Sequence, residues 1–191
     1  MMDSIKFVLA GEDNNLLVRF KNILSSNGMI YTGYSKEPCN ILRMVRTHLP
    51  EYIVIDVGKN FPKLRPILEI IDEEMLGACT LVLDIKNDEV AEFLHNSKVM
   101  TYVTKPVFEE IINQIAELSI LNFKRVWEYE QKVKKLNDTL ENRKIIEKAK
   151  WILVEEKGLS EAEAYELIKK TSRDNRIPMR YIADAIILTR G

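Results

Sequence analysis

The sequence predicts an α/β protein: a doubly wound five-stranded parallel sheet over residues 1–121, a coiled-coil connector over 122–139 and a three-helix C-terminal domain over 140–191. Three observations carry this expectation. Short apolar runs alternate five times with stretches of helical periodicity in the first part of the chain. Residues 107–157 contain neither proline nor glycine. Helical periodicity then continues beyond a capping-box sequence.

The elements follow in order. Ile5–Ala10 is short, apolar and rich in β-formers, the expected first strand. Leu16, Leu17, Phe20, Ile23 and Leu24 fall on one helical stripe, and Gly28 follows as a stop signal. Met29–Thr32 is a second strand. Asn40–His48 is a second helix with Ile41, Leu42 and Val45 facing in. Tyr52–Val57 is an apolar run containing one acid. Leu64–Met75, Thr80–Leu83, Val90–His95, Val99–Val103 and Val107–Leu121 continue the alternation. Continuous apolar strands suit a parallel sheet covered on both faces. Right-handed crossovers bring the carboxyl ends of all strands to one edge, where sites form.

Polar residues collect at that edge. Glu12 and Asp13 follow the first strand, Asp56 closes the third, Asp84 the fourth and Lys105 the fifth. Carboxylates with one lysine opposite suit a hard cation and a phosphoryl group. Equally, polar residues collect in loops at strand ends for solubility alone.

These residues resemble the receiver domain of bacterial two-component response regulators over residues 4–120, which implies a flavodoxin-like strand order. The resemblance implies that Asp56, in Tyr-Ile-Val-Ile-Asp-Val, is the phosphoacceptor of a sensor histidine kinase. It implies that Lys105, in Tyr-Val-Thr-Lys-Pro, contacts phosphoryl oxygens and that Tyr102 is the aromatic switch position. It implies an Mg2+ site formed by Glu12, Asp13 and Asp56, and a Lys105–Pro106 bond that is often cis. The pattern also departs from the family. Alignment of the first helix places Gly11 and Glu12 at the acidic pair, whereas a one-residue slip offers Glu12 and Asp13. Asp84 stands where the family carries Ser or Thr. A carboxylate there repels an incoming phosphoryl group or adds a third cation ligand. The motif is therefore partly degenerate, and no cofactor is required unless the pocket is functional.

In the connector, Val126, Val133 and Leu140 recur every seven residues, with Tyr129 and Leu136 between them. This a/d pattern predicts a homodimeric coiled coil. The alternative is a long helix packed on its own first domain.

Residues 137–156 form a helix with Leu140, Ile145, Ile146, Ala149, Ile152 and Leu153 on its apolar face. Ser160-Glu161-Ala162-Glu163 is a capping box. The second helix is expected to bury Ala164, Leu167 and Ile168. Pro178 sits in the first turn of the third, which turns Ile182, Ala185 and Ile186 inward. The run Leu-Glu-Asn-Arg-Lys-Ile-Ile-Glu-Lys-Ala-Lys-Trp-Ile-Leu, then Gly-Leu-Ser-Glu-Ala-Glu-Ala-Tyr-Glu-Leu-Ile and Ser-Arg-Asp-Asn-Arg, resembles the ANTAR domain of transcription antitermination regulators. The resemblance covers about residues 137–189 and implies binding to tandem RNA hairpins. By position it nominates Arg143, Lys150 and Arg173 as RNA contacts. Lys144, Lys148, Arg176 and Arg180 extend the basic surface, each with a solvated role as its alternative. Trp151 stands where the family frequently has glycine. Trp151 or Tyr181 stacks on an unpaired base, or else belongs to the core.

Composition excludes other classes. The chain has 191 residues, 46% hydrophobic and 30% charged, with net charge −1. Residues 1–104 carry 11 Lys/Arg against 14 Asp/Glu, and residues 105–191 carry 17 against 15. Any RNA contact must therefore come from a local patch. Cys39 and Cys79 lack nearby partners, which fits a reducing cytoplasm. His48 and His95 are too few for a histidine-based metal cluster. No apolar run has the roughly 18 residues of a spanning helix, so no membrane contact is expected. Asp3 and Lys6 before a strand-like run do not read as a signal peptide. There is no nucleophile–base arrangement, phosphate loop or nicotinamide fingerprint, so no enzyme is expected. A protein-interaction module and a duplex-DNA regulator are the other readings.

Overall fold

The computed structural model describes residues 5–84 and 88–189. It contains two compact units, Met1–Tyr129 and Glu130–Gly191.

The first unit holds a parallel sheet ordered β2-β1-β3-β4-β5. Its strands are β1 (Lys6–Ala10), β2 (Ile30–Ser35), β3 (Tyr52–Asp56), β4 (Ala78–Leu83) and β5 (Met100–Thr104). They alternate with α1 (Asn14–Ser26), α2 (Pro38–His48), α3 (Phe61–Glu73) and α4 (Asp88–Asn96), and α5 (Glu109–Lys157) follows β5.

β3 occupies the centre, and all five of its residues are buried. Successive side chains point to opposite faces. Ile53 and Ile55 pack with Ile41, Val45, Leu64 and Leu68. Tyr52 and Val54 pack with Leu17, Phe20, Ile112 and Ala116 on the other face. Full burial of each such aliphatic side chain contributes about 1.5–3 kcal/mol. The doubly wound architecture expected from the sequence is thus present.

Several buried polar groups in this unit are paired locally. The Tyr52 hydroxyl donates to Thr80 Oγ1 at 2.8 Å, and the Thr80 and Thr101 hydroxyls lie 2.9 Å apart. Thr101 in turn donates to the Cys79 carbonyl at 3.1 Å. Burial pushes the Tyr52 phenol and the Cys79 thiol up, so both stay neutral. Buried Asp72 accepts from the backbone N–H of Lys98 and of Val99, both at 2.9 Å, just before β5 begins.

α5 is one helix of 49 residues. The sequence placed helices at 107–121 and 137–156 on either side of the connector, and no helix breaker separates them. Backbone hydrogen bonding therefore continues through.

The second unit combines the end of α5 with α6 (Glu161–Asn175) and α7 (Met179–Leu188). Its core is small: Ala149, Leu153, Ala164, Ile168 and Ala183. Ser160 caps α6, accepting from Glu163 N–H, while the Glu163 carboxylate accepts from Ser160 N–H at 2.8 Å. These bonds hold the Glu163 carboxyl below its ordinary range.

The structure corrects several details here. Ala183 is buried, and Ala185 is exposed instead of facing inward. Leu167 is exposed, and so is Leu140. Pro178 is the N-cap of α7, one residue ahead of its first turn. Trp151 and Tyr181 are 53% and 62% exposed, so neither belongs to the core. A core of alanines lets helices approach too closely to admit an indole beside them.

Candidate functional site

The first site lies at the carboxyl edge of the sheet. Glu12, Asp13, Asp56, Asp84 and Lys105 line one open cleft. β3 delivers Asp56, whose side chain is only 3% exposed. Lys105 follows β5, where its backbone N–H donates to the Leu83 carbonyl at 2.8 Å. The Lys105–Pro106 bond is cis.

Lys105 Nζ lies 2.9 Å from Asp56 Oδ1, 3.0 Å from Asp84 Oδ1 and 3.5 Å from Asp13 Oδ2. Burial opposes the ammonium charge. Hydrogen bonding of the ammonium to Asp56 and Asp84, with their Coulombic attraction, outweighs it and raises Lys105 above the ordinary lysine value. The second Asp56 oxygen is also engaged: Oδ2 accepts from Asp13 N–H at 3.1 Å. Asp13 Oδ1 caps α1 by accepting from Leu16 N–H at 3.1 Å. Glu12 is exposed at the rim. Tyr102, on β5, is 40% exposed.

Gly11 has φ +132°, and a Cβ there would stand 2.6 Å from Asp56 Cβ and 2.7 Å from its carbonyl oxygen. No carboxylate-bearing side chain fits that position without moving β3. Tyr34 closes over the same residue, its hydroxyl donating to the Gly11 carbonyl at 2.9 Å. Among the described residues, no three His, Cys, Asp or Glu side chains are disposed to hold a metal ion. The Lys105 ammonium lies among the acids of this cleft.

The second site is the polar surface of the C-terminal unit. Its basic residues fall into two groups. Lys150 Nζ lies 2.9 Å from Glu147 and 3.4 Å from Glu161, and its side chain is 12% exposed. The Glu147 hydrogen bond raises its pKa most, against burial, with Glu161 adding to the rise. Lys150 thus ties α5 to the start of α6. Lys144 pairs with Glu141 at 2.7 Å in the open. Arg180 donates to Asn142 Oδ1 at 3.0 Å and stands 3.8 Å from Asp184. By contrast, Arg143, Lys148, Arg173 and Arg176 are exposed and have no acidic partner among the described residues.

Helical spacing helps to explain these arrangements. Lys144, Lys148 and Trp151 succeed one another at four and three residues, so they share one stripe of α5. Arg176 adopts the left-handed conformation, φ 54°, where α6 ends. The Glu147–Lys150 pair is an i,i+3 contact visible in the sequence. The Glu161 and Asn142 partners are not, since they depend on how the helices pack.

Comparisons with known proteins bear on both regions of the chain. The ANTAR domain family matches residues 134–187. The transcriptional regulatory protein PdtaR of Mycobacterium tuberculosis is 24% identical over 187 residues, covering 96% of this chain and 90% of PdtaR. Among solved structures, the signal receiver domain of a modulated diguanylate cyclase from Desulfovibrio desulfuricans superposes with a TM-score of 0.52 at 16% identity. That match covers 64% of this chain and 98% of that one. A response regulator receiver protein from Sinorhizobium medicae gives 0.51 at 15% identity, covering 64% and 99%. The chain therefore carries a stretch matching the ANTAR domain family after a unit with a receiver-like fold.

Proposed function

We propose that this chain is a cytoplasmic transcription antitermination regulator that binds hairpin RNA in a nascent transcript as a dimer, under control of its receiver-like unit. The observation that carries this reading is the ANTAR match over 134–187. It coincides with the region in which Arg143, Lys148, Arg173 and Arg176 stand exposed without acidic partners among the described residues. Such unmatched cations suit phosphate oxygens, whose binding releases counterions. Contacts of this kind require no cofactor.

The dimer rests on the α5 seam. Tyr129, Val133, Leu136 and Leu140 are 66%, 52%, 63% and 53% exposed. Four large apolar residues at a/d spacing gain most from a second copy of the same helix. Two copies would present two RNA surfaces, which suits paired hairpins. Control by another protein has support in the exposed Phe108, Ile111 and Leu118 of the receiver-like unit.

The test is a binding titration of the full chain against paired-hairpin RNA, single-hairpin RNA and duplex DNA of matched length. Preference for paired hairpins, lost in Leu136→Lys together with the dimer, is the expected result. Equal binding of duplex DNA would favour a DNA regulator. A stable protein complex without RNA affinity would favour an interaction module.

A further inference from the structure

We propose that the receiver pocket is filled by its own side chains, Lys105 serving as its cation and Asp84 as its anion, so that it accepts neither a divalent metal nor a phosphoryl group. This goes beyond the RNA reading and does not depend on it.

The geometry supplies three arguments. First, the charged groups that an incoming group would meet already lie against one another. Lys105 Nζ contacts Asp56, Asp84 and Asp13 within 3.5 Å. Asp56 Oδ1 faces that ammonium, and Asp56 Oδ2 accepts from Asp13 N–H. Second, the wall is closed at Gly11, where even a Cβ would meet Asp56 at 2.6 Å. A further metal-binding carboxylate has no room there. Third, the charges oppose an incoming anion. Three carboxylates face one ammonium, and Glu12 stands at the rim. A phosphoryl anion reaching Asp56 must therefore share Lys105 with the Asp84 carboxylate, which repels it.

Asp84 is the element that can be removed without disturbing the fold. Its side chain is 39% exposed, and it follows β4 instead of lying within it. A threonine or asparagine there takes away the charge and leaves Lys105 paired with Asp56. Lys105 then has a free direction in which to receive a phosphoryl oxygen.

The experiment uses the full-length protein with acetyl phosphate and Mg2+, followed by intact mass. In phosphoryl transfer an Asp56 carboxylate oxygen attacks phosphorus, the bond from phosphorus to the acetyl oxygen breaks, and acetate leaves. The wild-type chain is expected to gain no phosphoryl mass. Asp84→Thr or Asp84→Asn is expected to gain one, and to lose it when Asp56→Asn is added. Circular dichroism confirms that each variant is folded. Phosphorylation of the wild type to the same extent as the variants would overturn the proposal. So would Mg2+ binding by the wild type in calorimetry. Absence of label in both folded Asp84 variants would overturn the role of Asp84. None of these outcomes bears on RNA affinity, so this inference and the RNA reading fail separately.

Discussion

The two units handle positive charge in opposite ways. In the receiver-like unit, Lys105 is met by three carboxylates and held at the sheet edge. In the C-terminal unit, Arg143, Lys148, Arg173 and Arg176 are exposed with no acidic partner among the described residues. A matched, partly buried cation is a structural component, since removing it strands the acids around it. An unmatched exposed cation costs the fold little and remains available to a polyanion. Lys150 shows that the division does not simply follow domain boundaries. It lies in the C-terminal unit, yet it is shielded and paired like Lys105.

The strongest way to break this contrast is to remove unmatched charge. Arg143→Ala combined with Lys148→Ala is expected to weaken hairpin RNA binding by about 100-fold, taking about 1–2 kcal/mol per contact. The salt dependence should flatten by about one unit of log–log slope per residue removed. An unchanged slope would mean that neither side chain meets phosphate.

Lys105→Met tests the matched cation. It should destabilise the folded chain by about 1–2 kcal/mol near neutral pH, reduced by the solvent that reaches Asp13 and Asp84. Because Lys105 is raised in the folded state, its contribution is complete below the unfolded lysine pKa of about 10.4. It is lost as pH rises through the higher folded value. Denaturant titrations of the two proteins should therefore converge in strongly alkaline buffer. A constant difference across pH would assign the effect to packing.

Trp151→Ala probes the exposed indole on the stripe with Lys144 and Lys148. If it stacks on a loop base, affinity should fall about tenfold, while the thermal midpoint stays close to wild type. A large loss of stability with unchanged affinity would return the side chain to a structural role. Smallest of all should be Lys150→Met, with hairpin affinity within about twofold of wild type because its charge is already matched. A loss as large as that of the double substitution would place Lys150 among the RNA contacts after all.

Much of this arrangement could be read from the chain before its fold. Alternating apolar runs gave the five-stranded sheet, since strand and helix periodicities are local properties. The gathering of Asp13, Asp56, Asp84 and Lys105 at one edge followed from parallel topology. Their pairing did not, because it depends on side-chain directions from separate strand ends. The inward faces of α6 and α7 were misassigned at Leu167 and Ala185 for a related reason. Short amphipathic helices permit more than one rotation, and the neighbouring helices choose between them.

The sequence by itself determined the alternation of strands and helices, the unbroken α5 and the capping box of α6, all of which depend on neighbours along the chain. Only the tertiary structure decided that Gly11 has no room for a side chain, that Lys105 is caged, that Glu161 engages Lys150 and that Trp151 faces water. Those outcomes depend on distances between residues far apart in sequence, which are fixed only when the sheet and the helices close on their cores.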